Sequence, residues 1–345
     1  MKRTILLISG IAGLCFSSMN KRPGPEDSFE RQVEKVADSI KVDDIVVKNL
    51  FKYQILAHKK GSFNAELITE KVYLPHQKLW DSCYAMIFGE NNAALFNTAA
   101  GMQKWNQTLY PQNKSQFDEK VKKLLKVNLN RTLSCNLKKF SRLVPYHPKA
   151  VISIVFTPLT GIGFGGCSSD QFALELNHEN TDPEYTLQKG LPHELNHLVY
   201  ENFRNKDTDK STALSQTIDE GFACYFTWVF FEGKVQKYTV VENMSKEQWE
   251  WYLNNEKEIF RRVKPYFSDA SGSNPLLRND QIKLFPDAPK TLNYWLGFRI
   301  VEKYVEKHGP DSWKDIYTLT AKEVLEKSGY EAYISSLQLT AEQVK

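Results

Sequence analysis

The 345-residue chain has no internal repeat, no Cys-x-x-Cys pair and no cluster of basic residues. The first absence excludes a repeat architecture, and the second excludes a cysteine metal knuckle. Lys and Arg are spread along the sequence and the formal net charge is only +4, so there is no electrostatic footprint for nucleic acid. Beyond the first residues, no segment reaches about 18 uninterrupted apolar residues, so no transmembrane segment is expected in the mature chain. What is present is ordinary for a folded protein: 41% hydrophobic and 25% charged residues, on a length that can build one large core or two smaller ones.

The opening MKRTILLISGIAGLCFSSMNKRPG has the layout of a secretory signal peptide. Lys2 and Arg3 form a basic region, Thr4 to Phe16 a short apolar run, and Ser17 and Ser18 a small-residue end. Residues 1–18 are therefore expected to direct export to the periplasm, cell envelope or medium. Cys15 offers an alternative, a lipid anchor, although Leu14 stands where such signals usually carry Gly or Ala. Cys83, Cys135, Cys167 and Cys224 remain; they could form two disulfides in an oxidising compartment or stay as buried thiols.

Residues 19–145 read as a mainly helical region. Phe29, Val33, Val36 and Ile40 recur at helical spacing behind Ser28, and Ile45 to Leu56 continues the helical reading. Further helices are expected over Gln77–Phe88 and Phe117–Phe140, the latter broken near Asn128–Asn130. Tyr73, Trp80, Tyr84 and Trp105 could line a groove, but such aromatics are more often core, and they are expected there. The character changes at Pro145-Tyr146-His147-Pro148. Val151–Phe156 is an apolar, β-branched run that predicts a buried strand, and Phe172–Leu176 predicts a second. Ser245 to Gln248 is a capping box for a helix to about Lys264, 265–290 is a loop, and helices near 291–307 and 311–328 finish the chain. The class is α+β.

Between the two strands, Gly161-x-Gly163-x-x-Gly166 formally matches a dinucleotide-binding fingerprint. That motif needs a helix to start at the loop, so that its N-terminus can hold the pyrophosphate. Here a strand-like run follows, so the loop is expected to be a flexible turn before an edge strand. In a protease such an edge could pair with an extended substrate.

The chemistry concentrates in His193-Glu194-Leu195-Asn196-His197. Residues four apart share one helix face, so His193 and His197 can reach one ion. Glu194 stands to the side, where it can take a proton from water on that ion. Leu191, Leu195, Leu198 and Val199 give the helix an apolar flank, and packed polar groups of this kind are costly unless paired or metallated. Pro192 must either lie in the first turn of this helix or bend it just before the ligands. The third ligand is not on the same motif: Tyr200 and Phe203 replace the glycine and histidine of a metzincin. His58, His76, His147, His178 and His308 lack supporting context, and Glu201 lies a further turn along. Glu220, in Thr217-Ile218-Asp219-Glu220-Gly221, is the best candidate, on a second helix that Gly221 lets approach closely. Asp219 is its rival, and Thr217-x-x-Glu220 could instead be a capping box.

H-E-x-x-H followed about twenty residues later by E-G-x-A resembles the gluzincin zinc peptidases. The region from Val151 to about Tyr330 more closely resembles the bacterial family of predicted Zn-dependent proteases that includes YjaZ. The resemblance implies a gluzincin-like zinc peptidase domain over 146–345, with a small sheet, an HExxH helix, a second ligand helix and C-terminal helices. It implies Zn2+ held by His193, His197 and Glu220, with Glu194 as general base and a peptide or protein as substrate. Tyr294-Trp295-Leu296-Gly297 is similar to the Y-x-x-G of gluzincin aminopeptidases, which makes Tyr294 a candidate to stabilise the oxyanion. Cys224 stands where gluzincins often carry an acidic residue that supports a zinc histidine. The alternative is a non-enzymatic, metal-stabilised binding protein of the cell envelope.

Overall fold

The computed structural model describes residues 28–337, apart from 169, 180, 205, 206, 280 and 290. The expected signal segment and Cys15 lie outside the described residues.

The first regular structure after a short helix at Phe29–Glu34 is a hairpin. Strands β1 (Ser39–Val42) and β2 (Ile45–Asn49) pair antiparallel, with Val42 opposite Ile45. Asp43 opens the two-residue turn at φ 51°, a left-handed conformation that aspartate tolerates. This corrects the helical reading of residues 40 and 45–49. Ile45-Val46-Val47 is β-branched, and alternate residues from Ile45 to Asn49 are buried, the period of a strand. The helix begins only at Leu50 and runs to Leu56.

Strands β3 (Ala150–Val155), β4 (Phe164–Ser168) and β5 (Gln171–Glu175) complete a mixed five-stranded sheet in the order β1-β2-β3-β5-β4. β3 runs parallel to both β2 and β5, and β4 is antiparallel to β5. The sheet therefore spans the expected boundary at 145/146. β5 was expected at the edge; it lies inside, and the second half of the glycine-rich segment is itself the edge strand. Gly166 permits this pairing, because a Cβ there would sit 1.9 Å from the Gln171 carbonyl oxygen. The loop before β4 is tied down: Glu175, fully buried, accepts hydrogen bonds from the Tyr84 hydroxyl (2.6 Å), Gly161 N (3.0 Å) and Gly163 N (3.3 Å).

Helix α1 (Ala99–Lys126) carries Pro111 and a non-helical Asn113, and ends at the break expected near Asn128. Asn128 caps α2 (Leu129–Leu143), whose Leu129, Leu133, Leu137 and Phe140 form a buried stripe at helical spacing. Then come α3 (Leu191–Arg204), α4 (Ala213–Phe230), α5 (Lys246–Val263, with the expected capping box) and α6 (Leu292–His308). The segment expected as one helix over 311–328 is divided into a 3-10 stretch, Ser312–Thr318, and a helix, Ala321–Ser328. Thr320 forms a capping box with Glu323 and so starts a new helix.

Tyr73, Trp80, Tyr84 and Trp105 are buried together in a core beneath the sheet's β3–β5 side. A larger core runs from Val33 through α2, α3, α4 and α6 to Ile334. Cys83 is disulfide-bonded, and Cys135 and Cys224 are free.

Candidate metal centre

The zinc-type motif sits on a helix with an irregular approach. Pro183–Tyr185 is α-helical, Thr186–Gly190 is π-helical, and α3 begins at Leu191. Helical backbone runs unbroken from Pro183, so Pro192 lies inside it, directly after a π-helical turn whose wider winding accommodates the missing N–H. Behind the motif, the Tyr317 hydroxyl donates to Asn196 Oδ1 at 2.6 Å, and Asn136 Nδ2 donates to the Leu187 carbonyl at 2.8 Å. The helix is therefore held from the C-terminal segment on one side and from α2 on the other.

α4 packs against α3 and brings its own carboxylates. His193 Nε2 lies 3.1 Å from Glu220 Oε2, His197 Nε2 lies 3.4 Å from the same oxygen, and the two Nε2 atoms are 3.2 Å apart. Nitrogen and oxygen ligands at about 2.0–2.1 Å from a tetrahedral ion are about 3.3–3.4 Å from each other. The three side chains thus form one face of a tetrahedron of zinc size, and they are a group able to hold a metal ion. The residues fit the metal that the motif implies.

Asp219, the rival ligand, is used otherwise. His197 Nδ1–H donates to Asp219 Oδ1 at 2.9 Å, and Arg204 Nη1 donates to Asp219 Oδ2. Arg204 is in turn fixed by the Ser215 hydroxyl (2.8 Å) and the Lys210 carbonyl (2.7 Å). This carboxylate pins the ring of His197 with Nε2 turned inward, the support that a metal-binding histidine requires. The sequence left the supporting acid open, with Cys224 four residues after Glu220; the acid that supports His197 is Asp219, one residue before Glu220. Adjacent helix positions point about 100° apart, so Glu220 and Asp219 reach opposite nitrogens of His197. Nothing in the sequence pattern singled out Arg204. With Nε2 of His193 facing the cluster, its Nδ1 faces Cys224 Sγ at 3.7 Å.

Glu194 is not part of the three-residue cluster but stands in its field. Burial pushes its carboxyl up to about 7; the charges of His193 and His197 oppose the shift, and Glu220 and Glu242 add to it. Burial also opposes charge on both histidines, but without a metal the carboxylates prevail and raise them. Glu220 is held low by the two histidines against its own burial. Tyr294, on α6, is half-buried with its ring stacked on His193, centroids 5.9 Å apart and planes 12° off parallel. Glu201 is half-buried and outside the cluster; burial and Asp219 raise its carboxyl. None of the five other histidines belongs to a metal-capable group among the described residues.

Two glycines set the α4–α6 distance. A Cβ on Gly221 would fall 2.0 Å from the Gly297 carbonyl carbon, and one on Gly297 would fall 1.8 Å from the Thr217 carbonyl oxygen. Gly221 was expected to bring α4 to the motif helix; it brings α4 to α6, and with it Tyr294 to His193.

These elements define a helix-borne two-histidine, one-carboxylate site with a further carboxylate beside it. A family model described as predicted Zn-dependent protease (DUF2268) matches residues 152–326, just over half the chain, and the chain belongs to that family. No curated protein and no solved structure matches it.

Proposed function

We propose that the protein is an exported zinc metallopeptidase of the gluzincin type that hydrolyses peptide bonds. The observation that carries this reading is the convergence of His193, His197 and Glu220 at the spacing of a tetrahedral face, with the half-buried Glu194 next to His193 on the same helix. A zinc ion held there would supply Lewis acidity, acidifying a water and polarising a carbonyl. Glu194 accepts the proton of the attacking water and returns it to the leaving amine, acting first as base and then as acid. Asp219 and Arg204 keep His197 in the tautomer that presents Nε2. The Tyr294 hydroxyl, kept protonated by burial, donates a hydrogen bond to the developing oxyanion. β4, as an edge strand, offers backbone groups for pairing with an extended substrate.

A purely structural zinc site prefers four protein ligands and has no use for a buried base. Three ligands converge here, and Asp219, the carboxylate next to Glu220 on α4, is committed to His197 and Arg204. This argues against the non-enzymatic alternative. The disulfide at Cys83 supports export into an oxidising compartment, in line with the signal-like residues 1–18, with Cys15 as a possible lipid attachment point. No described helix is long and apolar enough to cross a membrane.

The test is Glu194→Gln. It should bind zinc as the wild type does and lose about 10²- to 10⁴-fold in turnover of a peptide library, the range typical of a lost general base. Full activity in this variant would sink the mechanism.

A further inference from the structure

Helix α4 presents two side chains to one imidazole ring. Glu220 and Cys224 lie four residues apart on it, so they share a face, one turn apart. Glu220 Oε2 lies 3.1 Å from His193 Nε2, and Cys224 Sγ lies 3.7 Å from His193 Nδ1. Both nitrogens of His193 are thus met from the same helix. Cys224 is fully buried and free of any disulfide. Among the described residues it is the one hydrogen-bond partner of His193 Nδ1.

The tautomer of His193 follows from this placement. Its Nε2 points into the cluster, 3.2 Å from His197 Nε2, so Nε2 is the nitrogen that would hold the ion. A metal-binding imidazole is neutral and carries its proton on the other nitrogen. Nδ1–H is then a buried donor, which is costly if left unpaired. Sulfur is a weak acceptor, and its larger radius makes 3.7 Å a bonding distance. Cys224 does not join the ligand set itself, because its sulfur is not among the atoms that lie within 4.8 Å of one another.

The two histidines are therefore supported unequally. His197 Nδ1–H donates to the Asp219 carboxylate at 2.9 Å, whereas His193 Nδ1–H has a buried thiol, ordinarily a neutral group. An anionic acceptor strengthens the hydrogen bond and makes the ring a better donor to a metal; a thiol does this only weakly.

Resting on the zinc-site reading, we infer that Cys224 is a positioning residue. Its sulfur accepts the Nδ1–H of His193, fixes the tautomer that turns Nε2 to the metal, and holds zinc affinity below what a carboxylate at this position would give.

The experiment measures metal binding rather than turnover. Zinc affinity is determined by chelator competition for wild type, Cys224→Val and Cys224→Asp, together with the melting temperature of each metal-free protein. The absorption spectrum of the cobalt-substituted wild type is recorded beside them. Valine keeps the bulk and removes the acceptor. Affinity should fall about 10- to 100-fold, with little change in the metal-free melting temperature. Aspartate adds a buried charge and should lower the metal-free melting temperature, yet raise zinc affinity by about tenfold or more. A residue that only fills space cannot move these two readouts in opposite directions. The cobalt spectrum should lack a sulfur-to-metal charge-transfer band. The inference is overturned by Cys224→Val with zinc affinity within about threefold of wild type, by Cys224→Asp with affinity no higher than wild type, or by a sulfur-to-cobalt band, which would make Cys224 a ligand. Wild-type protein that binds no zinc at all would overturn the zinc-site reading, and the role of Cys224 with it.

Discussion

Burial moves the carboxyl of the half-buried Glu194 and the imidazole of the fully enclosed His76 in opposite directions. Glu194 rises to about 7 and becomes able to exchange a proton near neutrality. His76 falls to about 4, driven first by burial, against the Gln171 hydrogen bond that raises it and with Lys48 assisting the fall. Its Nδ1 meets the Ser153 hydroxyl and its Nε2 lies 2.6 Å from Gln171 Oε1, so it joins β3 and β5 as a neutral ring. An unfolded histidine titrates near 6.5. Between pH 6.5 and 4 the unfolded chain takes up this proton and the folded chain does not, so stability falls as pH drops through that window. The contribution is whole above 6.5 and amounts to about 3 kcal/mol over the full range. Denaturant unfolding at pH 7, 5.5 and 4.5 should therefore show a flatter pH dependence for His76→Gln than for the wild type; parallel curves would contradict the burial argument. At this scale the sequence was legible where a motif imposes spacing, as at His193, Glu194 and His197. It was illegible where a partner lies on another helix: Asp219 read as a rival ligand because its contact with Arg204 depends on the angle between α3 and α4.

The element that brings the site together is α4, gripped by α3 on one side and α6 on the other. Its closest approach is the Gly221–Gly297 crossing, where backbone meets backbone. Gly221→Ala puts a methyl group 2.0 Å from a carbonyl carbon, and only separation of the helices can relieve it. Overpacking of this kind costs about 1–3 kcal/mol or more. Because Glu220 is the adjacent residue and Tyr294 lies one turn before Gly297, the variant should lose zinc affinity as well as melting temperature. A stability loss with unchanged zinc binding would mean that the crossing supports the fold and not the site. The two glycines were visible in the sequence, but not their meeting, which joins segments 76 residues apart in the chain. The strand at 45–49 was hidden for a different reason. Its apolar run passes without a breaker into the helix Leu50–Leu56, and a short run of this kind has no period of its own to separate strand from helix. Its β-branched residues were the better guide.

At the scale of the whole molecule, the family match begins in β3, yet the sheet does not. β1 and β2 precede the matched residues, and β2 pairs with β3 in the parallel register Ile45–Ala150. α1 and α2 support the approach to the metal-site helix: Lys120 donates to the Thr181 carbonyl at 2.5 Å, and Asn136 donates to Leu187. The α+β class was readable from the helical patterns and from the strand-like runs at 151–156 and 172–176. The joining of the N-terminal strands to that sheet was not, because pairing partners a hundred residues apart leave no local signal. This shared core is the platform on which the metal cluster rests, and metal binding should in turn stabilise the fold. At free zinc a hundredfold above the dissociation constant the gain is about 2.7 kcal/mol. The most direct test is zinc stoichiometry by elemental analysis after dialysis, paired with melting temperature with and without zinc, for wild type and Glu220→Ala. The account predicts one zinc per wild-type chain with a zinc-dependent rise in melting temperature, and the loss of both in Glu220→Ala. A wild-type chain without zinc, or a Glu220→Ala chain that retains it undiminished, would contradict the account.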